Sequence, residues 1–166
     1  TTFVDPGCYK IDGYNICNAD GDAKFVGGTF NMMKVLQFSL NTGVTWQLMQ
    51  IGNGEINNKS KQQMYDFFTK EYRFGVKTGI QQPRESAGVI YSPTSVQGTK
   101  ARYANMTFGQ GMSTTMIQMV GAFSAAVNGG NYYQPTLIYG KVNANEELTE
   151  DKPVILEKDS LSQTAS

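Results

Sequence analysis

The sequence predicts a mainly α chain with minor β structure. Three observations predict it: four stretches with helical spacing of apolar or small residues, one Asp-Gly turn between β-favouring residues near the N-terminus, and short apolar runs broken by turns near the C-terminus. A chain of 166 residues is about one domain, long enough for a real core. These signals divide it into a hairpin and loop over 1–28, a helical subdomain over 29–130 and short strands over 131–166.

In Cys8-Tyr-Lys-Ile-Asp-Gly-Tyr-Asn-Ile-Cys17, Asp12-Gly13 reads as a two-residue hairpin turn, because both turn positions need positive φ. Counting outward pairs Ile11 with Tyr14, Lys10 with Asn15, Tyr9 with Ile16 and Cys8 with Cys17. The last pair falls at a non-hydrogen-bonded position, where facing side chains are closest. A cross-strand Cys8–Cys17 disulfide is therefore expected, implying an oxidising compartment; the alternative is two free thiols in a loop. Asp20 and Asp22 lack the spacing of a calcium loop and read as a solvated turn.

Thr29 is the expected N-cap of a first helix running to Phe38, with Phe30, Met33, Val35 and Leu36 on its apolar face. Gln37 to Gly43 is a polar, turn-prone knot, in which Asn or Gly would serve as a left-handed helix cap. A second helix follows from Val44 to Ile51, with Trp46 on its core face. Ser60 is the expected cap of a third, Lys61 to about Tyr72, whose Met64, Phe67 and Phe68 form a core stripe. Residues 76–104 contain Pro83, Gly88, Pro93 and Gly98 and read as a long irregular excursion. The fourth helix starts at Ser113 or Thr114 and ends at Val127, before Asn128-Gly-Gly. Its small centre, Gly121, Ala122 and Ser124 to Ala126, marks a packed central helix. Two short strands, Leu137 to Val142 and Val154 to Leu156, are expected around an acidic turn from Glu146 to Asp151, and Ser160 to Ser166 reads as a helix start.

Composition narrows the function. Lys+Arg and Asp+Glu both number 14, so no net field favours nucleic acid or an anionic membrane. There is no His, which excludes a Ser-His-Asp triad within this chain, and two Cys cannot make a structural zinc site. No metal or cofactor is expected. The longest apolar run, Met116 to Val127, is too short to span a bilayer. The chain opens at Thr1 without a signal-peptide pattern, so both ends are expected to continue in something larger.

Several segments then fall in one order: Ser39-Leu-Asn-Thr-Gly43, Phe74-Gly-Val-Lys-Thr-Gly-Ile80 with Pro83 and Glu85-Ser-Ala-Gly88, Phe108-Gly-Gln-Gly111, Ile117-Gln118, and Ala122 to Gly130 with Tyr133-Gln-Pro135. In this order and spacing, over roughly residues 25–140, the chain resembles the middle of the transpeptidase domain of a class B penicillin-binding protein. The resemblance implies the helical subdomain of the penicillin-binding protein transpeptidase and serine β-lactamase-like fold. It makes Ser39-Leu-Asn41 the SxN element: Ser39 passes a proton toward the leaving amine, and Asn41 holds a substrate carbonyl, so both are catalytic candidates. Thr42 and Gln110 are substrate-binding candidates. For Gln110 the alternative is a helix-entry turn whose glycines supply special dihedrals.

The family's Ser-x-x-Lys motif is missing, since no Lys here has Ser three residues before it. Lys77-Thr78-Gly79 matches a structural loop of the family and not its active-site strand. The chain therefore carries only one wall of a site, and its partners are implied to be the rest of the transpeptidase domain and, through the complete protein, stem peptides and β-lactams. Peptidoglycan cross-linking on the extracytoplasmic face of a bacterial membrane is the implied function, with the chain inactive alone. A non-catalytic docking module is the alternative; a serine β-lactamase relative is disfavoured by Phe108-Gly-Gln-Gly111 and the Lys77 loop. Strands cut from their sheet leave unpaired edges, so self-association is expected.

Overall fold

The structure, a computed structural model, describes residues 1–19 and 22–162. Asp20 and the final residues of the expected C-terminal helix lie outside it. The described residues form two compact units: one from residues 1–65 and 91–112, the other from 66–90 and 113–166. Among the described residues, helix accounts for 33% and strand for 17%. The architecture is thus mixed rather than mainly α, because several stretches expected as helix or loop are extended and paired.

In the first unit, β1 (Thr2–Val4) pairs antiparallel with β4 (Thr29–Asn31), placing Phe3 opposite Phe30. The expected first helix therefore starts late. Thr29 is in a strand, Asn31 is the N-cap, accepting from the Lys34 N–H at 2.9 Å, and α1 covers only Met32–Gln37. Only Val35 of the expected apolar face is buried; Met33 and Leu36 are exposed. The hairpin β2 (Cys8–Ile11) and β3 (Tyr14–Cys17) has the register counted from its turn, with φ of 49° at Asp12 and 85° at Gly13. Cys8 and Cys17 are joined by a disulfide.

Helix α2 (Asn41–Ile51) begins inside the polar knot and buries Thr42, Gly43, Thr45 and Leu48. Gly43 is accordingly not a turn residue. A Cβ there would sit 2.5 Å from a Val35 methyl, so its missing side chain lets α1 and α2 meet. Phe3, Val35 and Leu40 form one core cluster, with Trp46 packed against it and its ring 5.7 Å from that of Phe3. Helix α3 (Asn58–Asp66) is capped by Asn57 rather than Ser60: the Asn57 Oδ1 accepts the Ser60 N–H, and Ser60 Oγ accepts the Asn57 N–H. It continues as a π turn over Phe67–Glu71.

The excursion hides a helix, α4 (Lys100–Met106), capped by Thr99 and burying Ala101, Tyr103, Ala104 and Met106. At seven residues it is too short to show a periodic pattern. The buried Lys61 amine donates to the carbonyls of Pro93 at 3.1 Å and Gly98 at 2.8 Å, closing the loop that leads into it.

In the second unit, α5 (Met116–Val127) follows a Thr115–Gln118 capping box and so starts later than the expected Ser113 or Thr114. It is one-sided rather than central. Gln118, Ala122 and Ala125 are buried, whereas Met116, Val120, Phe123 and Val127 are exposed at spacings of three and four. Gly121 is small for a specific reason, since a Cβ there would lie 2.5 Å from the Tyr132 hydroxyl. Strands β5 (Tyr132–Tyr133) and β8 (Ile155–Glu157) pair, as do β6 (Gly140–Val142) and β7 (Leu148–Glu150), all antiparallel. The expected acidic turn therefore contains strand β7: Asn143 Oδ1 accepts the N–H groups of Asn145 and Glu147, which tightens the turn and releases Leu148 onward to pair. Ser160 to Ser162 are not helical; Ser160 is buried, donating its hydroxyl to the Glu71 carbonyl at 2.9 Å.

Gly43→Ala is expected to destabilise the chain by about 1–3 kcal/mol through overpacking, read by urea denaturation. Adding Val35→Ala should recover part of that loss, as a positive coupling in the double-mutant cycle.

Candidate functional site

The Ser39–Asn41 element occupies the junction of α1 and α2. The Ser39 N–H donates to the Leu36 carbonyl at 3.1 Å and the Leu40 N–H to the Val35 carbonyl at 2.9 Å. That is a Schellman ending, and its left-handed residue is Ser39 itself, at φ 53°. A serine in that region is strained, and such residues persist where the surroundings over-determine them. Here the surroundings are the buried Leu40 on one side and Val35 one turn before. The Ser39 side chain is exposed.

Asn41 is the first residue of α2. Its Nδ2 donates to the Cys17 carbonyl at 2.9 Å, which leaves its Oδ1 and one N–H for another partner. Thr42 is fully buried, with its N–H donating to Asn18 Oδ1 at 3.1 Å and its hydroxyl 2.9 Å from Asp5 Oδ1 and 3.0 Å from Asn18 Oδ1. A hydroxyl enclosed in this way supports the element rather than meeting a substrate, so Thr42 is a scaffold group. The structure therefore gathers Ser39, Asn41, Thr42 and Cys17 in one place. Gln110 is exposed in the turn after α4, with Gly109 at φ 83° and Gly111 at φ 73° on either side. Its N–H closes that turn on the Asn105 carbonyl at 3.0 Å. Among the described residues no hydrogen bond joins it to Ser39, Asn41 or Thr42.

Asp5 and Asn18 were not legible as site residues. Asp5 is 1% exposed and accepts from the Gly7 N–H at 2.8 Å and from Asn18 Nδ2 at 2.8 Å, in addition to the Thr42 hydroxyl. Its charge, second to burial, pushes the Tyr9 phenol up. The only sequence signal is positional: Asn18 directly follows the hairpin, and Asp5 opens Asp-Pro-Gly. Among the described residues no three His, Cys, Asp or Glu side chains cluster as metal ligands.

In the second unit, Lys77-Thr78-Gly79 lies in irregular backbone. Glu85 grips it: Oε1 accepts from the Thr78 N–H and hydroxyl, both at 2.6 Å, and Oε2 from the Gly79 N–H at 3.1 Å. Burial alone would raise the Glu85 carboxyl, but these bonds and the Lys77 charge together hold it below its ordinary value of 4.5. Its stabilising effect is thus present above that value and lost as pH falls through the lower folded one. Wild-type chain is expected to lose stability in this range, and Glu85→Gln to show a smaller loss, in denaturation series from about pH 6 to about pH 3.

The family model described as the penicillin binding protein transpeptidase domain matches residues 1–166. Stage V sporulation protein D of Bacillus subtilis is 34% identical over 134 residues, which are 80% of this chain and 18% of that protein. Penicillin-binding protein PbpB of Mycobacterium tuberculosis is 30% identical over 110 residues, 66% of this chain and 16% of that protein. The chain thus spans less than a fifth of the length of these relatives. Among solved structures, penicillin binding protein 3 of M. tuberculosis, complexed with aztreonam, superposes with a TM-score of 0.76 at 24% identity, covering 99% of this chain and 34% of that one. Penicillin binding protein 2X of Streptococcus thermophilus also gives 0.76, at 22% identity, covering 99% of this chain and 22% of that one. With the motif order, the whole-length match and the fold in agreement, this chain belongs to the family of penicillin-binding protein transpeptidase domains.

Proposed function

We propose that this chain is part of a peptidoglycan D,D-transpeptidase that cross-links cell-wall stem peptides by serine acyl transfer, and that it supplies the SxN wall of the active site. The observation that carries this reading is Ser39: an exposed residue at the left-handed end of α1, two positions before an amide anchored at its back. Ser39 is one of seven described non-glycine residues at positive φ, and the order of the segments around it, together with the family match, is what supports its reading as part of the reactive wall.

In the complete protein, a serine outside this chain attacks the carbonyl between the two D-alanines, with a lysine taking its proton. Ser39 passes that proton to the departing D-alanine amine, and Asn41 uses its remaining amide groups to hold the peptide backbone. An acceptor amine then attacks the acyl-enzyme and releases the serine. β-Lactams acylate the same serine without a quick release.

The rest of the transpeptidase domain is the proposed partner of the exposed apolar face of α5 and, in its absence, a second copy of the chain takes its place. The proposed location is the outer face of the bacterial cytoplasmic membrane; among the described residues no helix is long and apolar enough to cross one.

In the full-length protein, Ser39→Ala should slow acylation by fluorescent penicillin about a hundredfold or more. The isolated chain should take no label at all. Covalent labelling of the isolated chain, or normal labelling of the full-length Ser39→Ala protein, would sink the assignment of Ser39 as an assisting group.

A further inference from the structure

We infer that Asn18, braced by Asp5, is a positioning residue for the Ser39–Asn41 element, because the β2–β3 hairpin caps helix α2 from outside the helix. The inference deepens the proposed function and rests on it for its catalytic consequence.

A helix start leaves backbone N–H groups without partners, and a Ser, Thr, Asp or Asn at the N-cap normally accepts one of them. At α2 the N-cap is Leu40, whose side chain makes no cap hydrogen bond and is buried in the core. The missing acceptor comes from another part of the chain. Asn18 Oδ1 takes the Thr42 N–H at 3.1 Å, while the neighbouring Cys17 carbonyl takes the Asn41 Nδ2 at 2.9 Å. Two consecutive residues at the end of the hairpin thus meet the first two residues of the helix.

Asn18 is itself oriented. Its Nδ2 donates to Asp5 Oδ2 at 2.8 Å, so its oxygen must face the helix. The Thr42 hydroxyl completes the triangle, within 2.9 Å of Asp5 Oδ1 and 3.0 Å of Asn18 Oδ1. The Cys8–Cys17 disulfide ties the strand that ends at this cap to its neighbour. None of these groups needs to touch substrate. They set where α2 begins, and hence the direction of the Asn41 amide and the turn that carries Ser39.

The test uses the full-length protein and fluorescent penicillin in stopped flow, separating the saturating acylation rate from apparent binding, with label stoichiometry and thermal melting recorded for each variant. Asn18→Ala is expected to slow the saturating rate about tenfold to a hundredfold while every folded molecule still labels. Thr42→Val should behave like Asn18→Ala, and Thr42→Ser should retain the wild-type rate. An unchanged rate in folded Asn18→Ala, or a loss that only tracks the unlabelled fraction, overturns the inference. Amide exchange provides a readout independent of activity: Asn18→Ala should speed exchange at the Thr42 N–H and leave the middle of α2 unchanged. Should wild-type protein take no label, the proposed function fails, and exchange alone decides the positioning role. Equal exchange at Thr42 in both proteins would then overturn it.

Discussion

Val35 on α1 and Gly43 on α2 approach so closely that a single added methyl at Gly43 would lie 2.5 Å from a Val35 methyl carbon. Two helices that meet this tightly leave little chain to turn between them, and Phe38, Ser39 and Leu40 make the whole reversal. Leu40 drops into the core beside Phe3, so the left-handed step falls on the residue before it. The strain at Ser39 is therefore a result of packing on both sides of it. A looser junction would let the backbone at Ser39 relax into an ordinary turn.

Much of the remaining backbone is irregular, and its polar groups find side-chain partners in place of ladder neighbours. The buried Gln118 donates to the carbonyls of Val76 at 2.7 Å and Ala87 at 2.8 Å while its own Oε1 accepts the Thr115 N–H. Lys61 does the same for Pro93 and Gly98, and Glu85 for the N–H groups of Thr78 and Gly79. The sheets among the described residues have two strands each, and these polar side chains take over work that a wider sheet would do with its backbone.

What could be read in the sequence was whatever is encoded locally. The Asp12-Gly13 turn sets its own register, α5 announces its stop with Asn128-Gly-Gly, and Ser39-Leu-Asn41, weak by itself, was singled out only by its order with the segments that follow it. Long-range pairing was not legible. Thr29-Phe-Asn looks like a helix start because Phe30, Val35 and their neighbours have helical spacing, yet it pairs with Thr2–Val4 across a gap that no local pattern records. The support of the site was hidden for the same reason: Asp5, Asn18 and Thr42 are separated by 13 and 24 positions and converge only after folding. Gly43 was misread as turn chemistry because a close approach and a turn both ask for glycine.

The hairpin that carries the external cap has a further consequence for the cost of assembly. Its two cysteines are only 9 positions apart, and its strands need no other element to pair. Contacts so local cost little closure entropy, and the α1–α2 junction, where Val35 meets Gly43 on the next helix, is equally local; the long-range member of this corner is Asp5, 37 positions from Thr42. The hairpin thus brings its acceptors to the α2 entrance as one locally closed unit, and the long closure needed there is that of Asp5 onto Asn18 and Thr42.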